Sequence, residues 1–582
     1  MIEGENLEVL KLLQKSYARK VRVIYIDPPY NTGNDFVYPD DYTDSIGNYL
    51  RRTGQVDTDG VRNTSNPETN GRHHTDWLNM MYPRLLRARD MPTANGLLII
   101  SIDEHEYSAL RMLCISVFGE SNIVGTIIWK NSTDNNPTNI ATEHEYILFI
   151  ARNKDAIEKE WKASASEAKS ILEAKGAELI ALFREDKEEL QEKYRLWFNE
   201  HREELRPLDR YKYIDQGGVY TGSQSVHNPG REGYRYDIVH PETKKPCKQP
   251  LMGYRFPKAT MDDLLVNGRI LFGEDESKIV ELKVYASEYQ EKLSSLLELD
   301  GRLGAYDLRT DFPEAARAFT NPKPVRLLQI IFSYLLRSAD DIVMDFFAGS
   351  GSTACAAMVL NQASLSCRYV LIQLPLQLDP INNDQKTAAV FCDQIGKPRT
   401  IAELTKERLR RAAARIREEN PEAPFDAGFR VYKLAPSNLK AWSPGTDLAA
   451  DLLDAADNLL PGRTDDDLLV ELLLKRGIDL VDPMQTHTVA DCTVHALGGG
   501  ALVVCLADVA NADAEPLADG IAEWVLTLDP PGGATVIFKD AGFASDVAKV
   551  NLAAILRQRL NGRAPDPIRG KLPDMLLDLR SV

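Results

Sequence analysis

Two short stretches of this chain combine residue types and spacings that could do chemistry. The first is Asp27-Pro28-Pro29-Tyr30, which closes the apolar run Val21–Ile26 and leads into an Asn-Thr-Gly turn. A fold needs only a turn there, and Gly or Asn would supply one. Two successive prolines instead remove two backbone donors and hold the chain extended and stiff. Asp27 and Tyr30 are thereby fixed at a strand's end, the edge where open α/β sheets keep their chemistry. The second stretch is Asp345-Phe346-Phe347-Ala348-Gly349-Ser350-Gly351, where a strand ends and turns sharply into a helix. Gly349 and Gly351 admit close approach of a ligand to the backbone, and the acid suits a cationic or hydroxyl-bearing ligand. The loop has neither the G-x-G-x-x-G spacing of dinucleotide folds nor the Gly-Lys-Ser/Thr of phosphate loops, so phosphate binding is disfavoured. Taken singly, each stretch also reads as an ordinary turn.

The surrounding pattern says which elements must position them. From Met1 to about Asn153, "NLEVLKLLQKSY", "DWLNMMYPRLLRARDMP" and "HEYSALRMLCISVF" have helical apolar spacing. They alternate with the strand patterns "VRVIYI", "GLLIISID", "VGTIIWKN" and "EHEYILFIARN". Such alternation predicts a mostly parallel sheet covered on both faces. The polar segment from Tyr38 to Thr75 is expected to be a mobile loop beside the strand end. Character changes at Lys154, where a charged block continuing to Leu205 reads as a solvated helical hairpin or inter-domain arm. An aromatic, basic, Gly- and Pro-rich module follows. The α/β pattern returns near Phe319 with "NPKPVRLLQIIFSYLLR", then the strand–glycine loop–helix and the strand "CRYVLIQLP". The expected domains are therefore 1–153, 154–318, 319–434 and an acidic, mixed-pattern 435–582.

At 582 residues the chain is too long for one core. No apolar run approaches the length of a bilayer span, and "MIEGENLEVLKLL" has no basic leader. Seven scattered cysteines without a C-x-x-C pair argue against structural zinc and disulfides, so no metal is expected and a reducing cytoplasm suits the chain. The net charge of −17 is uneven. From Ser443 to Asp529 seventeen acidic residues stand against three basic ones, leaving the rest nearly neutral. A near-neutral body can still carry a basic groove, because nucleic-acid binding follows local potential.

Together, DPPY and the F-x-G-x-G of Phe347, Gly349 and Gly351 resemble the amino-methyltransferase family. There DPPY is the catalytic signature and the glycine loop holds S-adenosylmethionine. DPPY comes first in the chain, which is similar to the permuted β group of DNA methyltransferases, whose target-recognition region lies between the two motifs. The wider match is to the modification (Mod) subunits of type III restriction–modification systems. It rests on "GENLEVLKLL", "YIDPPYNTGND", "FTNPKPVRLL", "IQLP", "TIAELTKERLRRA", "DAGFRVYKL" and "FKDAGFASDVAKVNLAAIL", and covers nearly the whole chain. The resemblance implies a Rossmann-like methyltransferase core of permuted motif order, an inserted α+β target-recognition domain and a C-terminal α/β domain. It also implies methylation of adenine N6 in double-stranded DNA, a homodimer and a helicase-nuclease partner; the chain has no helicase or nuclease motif of its own. Cytosine N4 methylation and a decayed DNA-recognition subunit are the alternatives.

The chemistry fits these residues. An exocyclic amino group is a poor nucleophile because its lone pair is delocalised into the ring. Asp27 and the Pro28 carbonyl could accept its two hydrogens. Tyr30 could stack on a base flipped out of the duplex, and Pro29 keeps the hinge stiff. For the cofactor the resemblance implies Asp345, Phe346, Phe347, Ala348, Gly349, Ser350 and Gly351, with Gln373 at the ribose hydroxyls, where Glu is commoner. Lys323 would touch cofactor or phosphate, or else be a solvated helix-start lysine. Ser352 stands where Thr is common, and the family usually begins upstream of "GENLEVL". For DNA the basic-aromatic cluster supplies Arg210, Lys212, Tyr220, Arg231, Arg235, Lys244, Lys245 and Arg255. Trp129, Lys130 and Asn131 are expected at the pocket's edge, and His73 and His74 beside DNA or idle.

Overall fold

The computed structural model describes residues 1–32, 73–132, 139–163, 167–184, 186–202, 204–205, 207–228, 230–363, 367–422, 426–439, 460–531, 533–561 and 577–581. The expected mobile loop, 38–75, lies almost wholly outside them. The chain forms two compact units, one of residues 1–157, 295–332 and 336–582, the other of 158–294 and 333–335.

In chain order the strands are β1 (Ile2–Glu3), β2 (Val21–Ile26), β3 (Pro92–Ile102), β4 (Ile123–Lys130) and β5 (His144–Ala151). In the second unit come β6 (Lys162–Ala163), β7 (Tyr213–Asp215), β8 (Gly218–Ser225), β9 (Ile270–Leu271), β10 (Glu281–Tyr285) and β11 (Glu291–Lys292). Back in the first are β12 (Leu296–Glu298), β13 (Ile342–Asp345), β14 (Arg368–Gln373), β15 (Tyr432–Lys433), β16 (Gln485–Val489), β17 (Cys492–Leu497), β18 (Leu502–Cys505), β19 (Ala534–Phe538) and β20 (Leu577–Ser581).

The large sheet of the first unit runs β12-β4-β5-β3-β2-β13-β14-β1-β15. Its centre is parallel: β2 lies between β3 and β13, and β13 pairs with β14. All six residues of β2 are buried, which suits a run with apolar residues on both faces. One face packs Ile24 and Ile26 with Leu10 and Leu13 of the Asn6–Tyr17 helix and Met80 and Leu85 of the His73–Ala88 helix. On the other, Tyr25 meets Phe332 of the Val325–Leu335 helix edge-on, ring centroids 6.2 Å apart.

The sheet departs from a parallel reading at β4 and β5, which pair antiparallel with each other, β5 also running antiparallel to β3. β4 ends at Lys130 and β5 begins at His144, so the link is short, and an antiparallel return needs no crossover helix. The edge strand β12 beside β4 went unread in the sequence, because three residues carry too little periodicity to signal a strand.

The chain advances from β2 to β3 on one side and from β13 to β14 on the other. The carboxyl ends of β2 and β13 therefore flank a topological switch point, where an open α/β sheet leaves a crevice. DPPY follows β2 and the glycine loop follows β13.

The C-terminal five-stranded sheet, β16 to β20 in order, is antiparallel for its first three strands and parallel for the rest. The Ala514–Leu528 and Asp546–Asn561 helices share a core with its inward residues Val494, Val503 and Val536. In the second unit, β7-β8-β10-β9 form a sheet beside the helices Glu167–Leu182 and Lys187–His201. That charged pair is more than a solvated arm: Leu172, Leu179, Leu190, Tyr194 and Phe198 pack with Ile214 and Val219 of the sheet.

Candidate functional site

The register of β2 on β13 pairs Val23 with Val343 and Ile24 with Met344. Asp27 follows the last residue of β2, and Phe346 to Gly351 follow the last residue of its neighbour β13. The acid of the first motif and the loop of the second thus share one edge of the sheet.

The hinge is held from below. The carbonyl of Pro29 accepts the Trp77 indole N–H at 2.7 Å. Asn31, at a positive φ of 64°, donates its amide to buried Glu106 at 2.6 Å. His74 is exposed, its Nδ1 2.7 Å from the same Glu106 oxygen. These contacts fix the chain on both sides of Tyr30.

Above the hinge, charges and rings interlock. The Lys323 ammonium is 3.1 Å from Asp27 Oδ1 and 3.2 Å from Glu145 Oε2. It also lies 4.7 Å from the Tyr30 ring centroid and 5.8 Å from that of Trp129. Glu145, on β5, accepts the Tyr30 hydroxyl at 2.8 Å on Oε2 and the Asn131 amide at 2.7 Å on Oε1. Trp129, opposite Glu145 in the β4–β5 ladder, donates its indole N–H to the Leu299 carbonyl at 2.8 Å. Lys130 is exposed, 3.8 Å from Glu143.

Asp27 Oδ1 is buried, and the partner beside it is the Lys323 ammonium, held there chiefly as an ion pair. Burial lifts the Asp27 carboxyl above the ordinary range; Lys323 opposes this and Glu145 adds to it. Burial acts to lower Lys323, but Asp27 and Glu145 outweigh it and hold the ammonium charged above its usual pKa. Burial, Asp27 and Glu145 together keep Tyr30 a neutral phenol.

The glycine loop is braced from every side. Asp345 Oδ1 accepts the Phe347 N–H at 2.9 Å, and Oδ2 accepts the Thr353 hydroxyl at 2.6 Å. Burial pushes this carboxyl up to about 7, against those two donors, with the Asp27 charge adding slightly. Buried Phe346 gives its carbonyl to Asn6 at 2.9 Å, and Asn6 is held by fully buried Arg84. The Ala348 N–H reaches the Ile372 carbonyl at 3.2 Å. Gly349 donates its N–H to Gln373 Oε1 at 2.7 Å and offers its carbonyl to the Thr405 hydroxyl at 2.6 Å. Arg408, fully buried, donates to Ser350 Oγ at 2.8 Å and to Asp311 at 3.0 Å. Ser352, first residue of the Ser352–Gln362 helix, donates to the Lys323 carbonyl at 2.7 Å.

Gly349 and Gly351 both have positive φ, 50° and 82°. A Cβ on Gly351 would press on Thr405 and Leu409, at 3.2 and 3.3 Å, whereas one on Gly349 would have only the Phe347 carbonyl within 4 Å. Gly351 is thus small to let the loop pack, and Gly349 leaves open space that a side chain would fill.

Several residues sit elsewhere than their sequence reading suggested. Lys323, read as a cofactor or phosphate contact, joins the two motifs: its ammonium stands at Asp27 and its carbonyl holds the glycine loop. Gln373, read as a ribose contact, spends Oε1 on Gly349 and Nε2 on the Leu374 carbonyl. Glu145 went unread; its signal was the "HEYIL" strand following an expected pocket edge. The side chain of His73 lies outside the described residues.

The basic-aromatic residues lie in the second unit. Arg210, Lys212, Arg231, Arg235, Lys244, Lys245 and Arg255 are all exposed, while Tyr220 is half-buried. Tyr220 stacks on Tyr213 with centroids 5.5 Å apart and carries Lys283 4.4 Å from its own. Arg255 lies over Phe256 at 4.5 Å, and Lys245 is paired with Glu276 at 3.0 Å.

A rigid DPPY hinge and a glycine-loop crevice at one switch point define the class, and the chain belongs to the DNA methylase family, whose model matches residues 21–371. Among individual proteins, it is 49% identical over 439 residues to the type III restriction-modification enzyme EcoP15I Mod subunit of Escherichia coli, covering 75% of this chain and 65% of that one. It is 32% identical to the StyLTI Mod subunit of Salmonella typhimurium (75% of this chain, 60% of that one) and 28% identical to the EcoPI Mod subunit of Escherichia phage P1 (86% and 75%). The chain thus spans somewhat under two thirds of the length of the first two. No described helix is long and apolar enough to cross a membrane.

Proposed function

We propose that the chain transfers a methyl group from S-adenosylmethionine to the N6 amino group of adenine in double-stranded DNA, as the modification subunit of a type III restriction–modification system. The observation that carries this reading is the Asp27 carboxylate at the end of β2, beside the glycine loop that follows β13, with Oδ1 paired to the Lys323 ammonium at 3.1 Å.

The open space at Gly349 fits the cofactor: backbone is bare where a ligand must come close. When bound, S-adenosylmethionine supplies an electrophilic methyl on a cationic sulfur. Phe346 to Gly351 would cradle it, with Asp345 and Gln373 holding that cradle in shape. The residues of the hinge do the remaining work. Asp27 and the Pro28 carbonyl accept the two amino hydrogens, drawing the nitrogen toward a nucleophilic geometry. Pro28 and Pro29 keep those acceptors in place before substrate enters, and alignment of this kind supplies roughly 7–11 kcal/mol. Tyr30 offers a ring for the flipped base, worth about 1–3 kcal/mol. Asp27 would take up the amino proton shed as the nitrogen's new bond to carbon replaces the carbon–sulfur bond, whose electron pair stays on sulfur.

The reading extends to a cytoplasmic homodimer working with a helicase-nuclease subunit, supported by the similarity to Mod subunits. The exposed cations from Arg210 to Arg255 would meet the DNA. Mapping modified bases in a host that expresses the chain tests the function. N6-methyladenine in one short motif, absent with Asp27→Ala, is expected; methylated cytosine, or no mark at all, would overturn it.

A further inference from the structure

We infer that Glu145 is a positioning residue for the methyl transfer: by holding the Lys323 ammonium and the Tyr30 hydroxyl together, it shares that ammonium with Asp27 and so leaves the Asp27 carboxylate able to accept from the base. The inference rests on the proposed role of Asp27 as the amino-group acceptor.

The geometry is that of one cation shared by two anions. Lys323 Nζ stands at nearly equal distances from Asp27 Oδ1 and Glu145 Oε2, 3.1 and 3.2 Å. It is buried, so its charge is poorly screened, and both carboxylates compete for it at close range. Glu145 is the better anchored competitor. Asn131 holds one oxygen, Tyr30 holds the other, and the strand β5 fixes its backbone against β4. Asp27 Oδ1 has the ammonium itself beside it. With a neutral side chain at 145, Asp27 becomes the anion Lys323 has to itself, and the ammonium's hold on the carboxylate tightens. The acceptor that the base needs is then occupied.

The same bond from Glu145 also sets the ring plane of Tyr30, whose face carries Lys323 on one side. Two functions of the hinge, acceptor and stacking platform, are thus tied to one carboxylate that stands outside the DPPY motif.

Charged and titratable groups facing Asp27 are Lys323 on the segment before the Val325–Leu335 helix, Glu145 on β5, Tyr25 and Tyr30 on its own chain, and Asp345 on β13. Of these, Glu145 and Lys323 pull in opposite directions on the Asp27 carboxyl. Removing the Glu145 charge therefore moves the acid limb of the activity profile to lower pH.

The test compares the full chain with its Glu145→Gln and Glu145→Asp variants on duplex DNA and S-adenosylmethionine, across pH 5 to 9. For Glu145→Gln the expected result is a kcat fall of ~10–100-fold, the cost of a misplaced reacting group, with an acid limb at lower pH and KM for both substrates within about twofold of wild type. Glu145→Asp, which keeps the charge, should return the limb toward the wild-type position. Wild-type kcat and an unmoved limb in Glu145→Gln overturn the inference; so does an aspartate variant whose limb follows the glutamine variant. Should Glu145→Gln fail to fold, the aspartate limb decides: at the wild-type position it supports the inference, displaced downward it overturns it. Failure of the wild type to methylate adenine would instead sink the reading beneath it.

Discussion

Asp345 shows how a single buried acid serves the glycine loop at an energetic cost. Its two oxygens cap Phe347 and Thr353, yet burial drives the carboxyl up to about 7. A folded-state pKa above the unfolded value of 3.8 means the native chain holds the extra proton between roughly pH 4 and 7. Over that window the group lowers stability as pH rises, and above it the penalty is constant. Asp345→Asn, uncharged throughout, is expected to flatten this part of the wild-type curve when urea unfolding is followed from pH 4 to 8. Equal slopes in both proteins would refute it. Asp27 lies under the same influence, since burial again lifts it, but there the ammonium of Lys323 pulls the other way. The two acids look alike in sequence, each closing an apolar strand. What separates them is partnership: Asp345 has a neutral donor for each oxygen, whereas Asp27 has a shared ammonium beside Oδ1.

Elements converge on the loop from distant parts of the chain. The Ile401–Glu419 helix sends Thr405 and Arg408 to Gly349 and Ser350, and the Asn6–Tyr17 helix sends Asn6 to Phe346. Arg408 is fully buried and joined to buried Asp311. Arg408→Ala would leave that acid with only the outlying Arg415, so a loss of about 3 kcal/mol or more is expected in denaturant unfolding. A loss below about 1 kcal/mol would show the clamp to be dispensable. This convergence also explains what the sequence could and could not tell. β2 and β13 were legible because an all-apolar run ending in a stiff or glycine turn has few other readings. The adjacency of the two motifs was implied by the resemblance to amino-methyltransferases, since alternation of strands and helices fixes no strand order. Glu145, Arg408 and Asn6 were not legible as site residues, since each reaches the crevice from a segment far away in sequence. Gln373 was placed at the correct strand end, but its amide is turned onto Gly349, an orientation no spacing encodes. The antiparallel return of β4 and β5 was hidden because a strand pattern carries no direction.

At the scale of the whole molecule, charge is partitioned. The stretch from Ser443 to Asp529 carries most of the net −17, while the second unit exposes Arg210, Lys212, Arg231, Arg235, Lys244, Lys245 and Arg255. If those cations meet phosphates, each neutralised phosphate releases counterions, and affinity depends steeply on salt. Lys244→Ala is expected to weaken binding evenly across DNA sequences and to lower the slope of log affinity against log salt by about 1. Anisotropy titrations at several salt concentrations would show it; an unchanged slope would remove Lys244 from the interface. The proposed methyl transfer depends on the hinge acid gripping an amino group beside the cofactor loop. The most direct measurement is label transfer from methyl-labelled S-adenosylmethionine to duplex DNA by wild type and Asp27→Asn, with nucleoside analysis and calorimetry of cofactor binding. The account expects label on adenine N6, a loss of ~10²-fold or more in the variant, and cofactor affinity preserved. Label on cytosine, or undiminished transfer by Asp27→Asn, would contradict it.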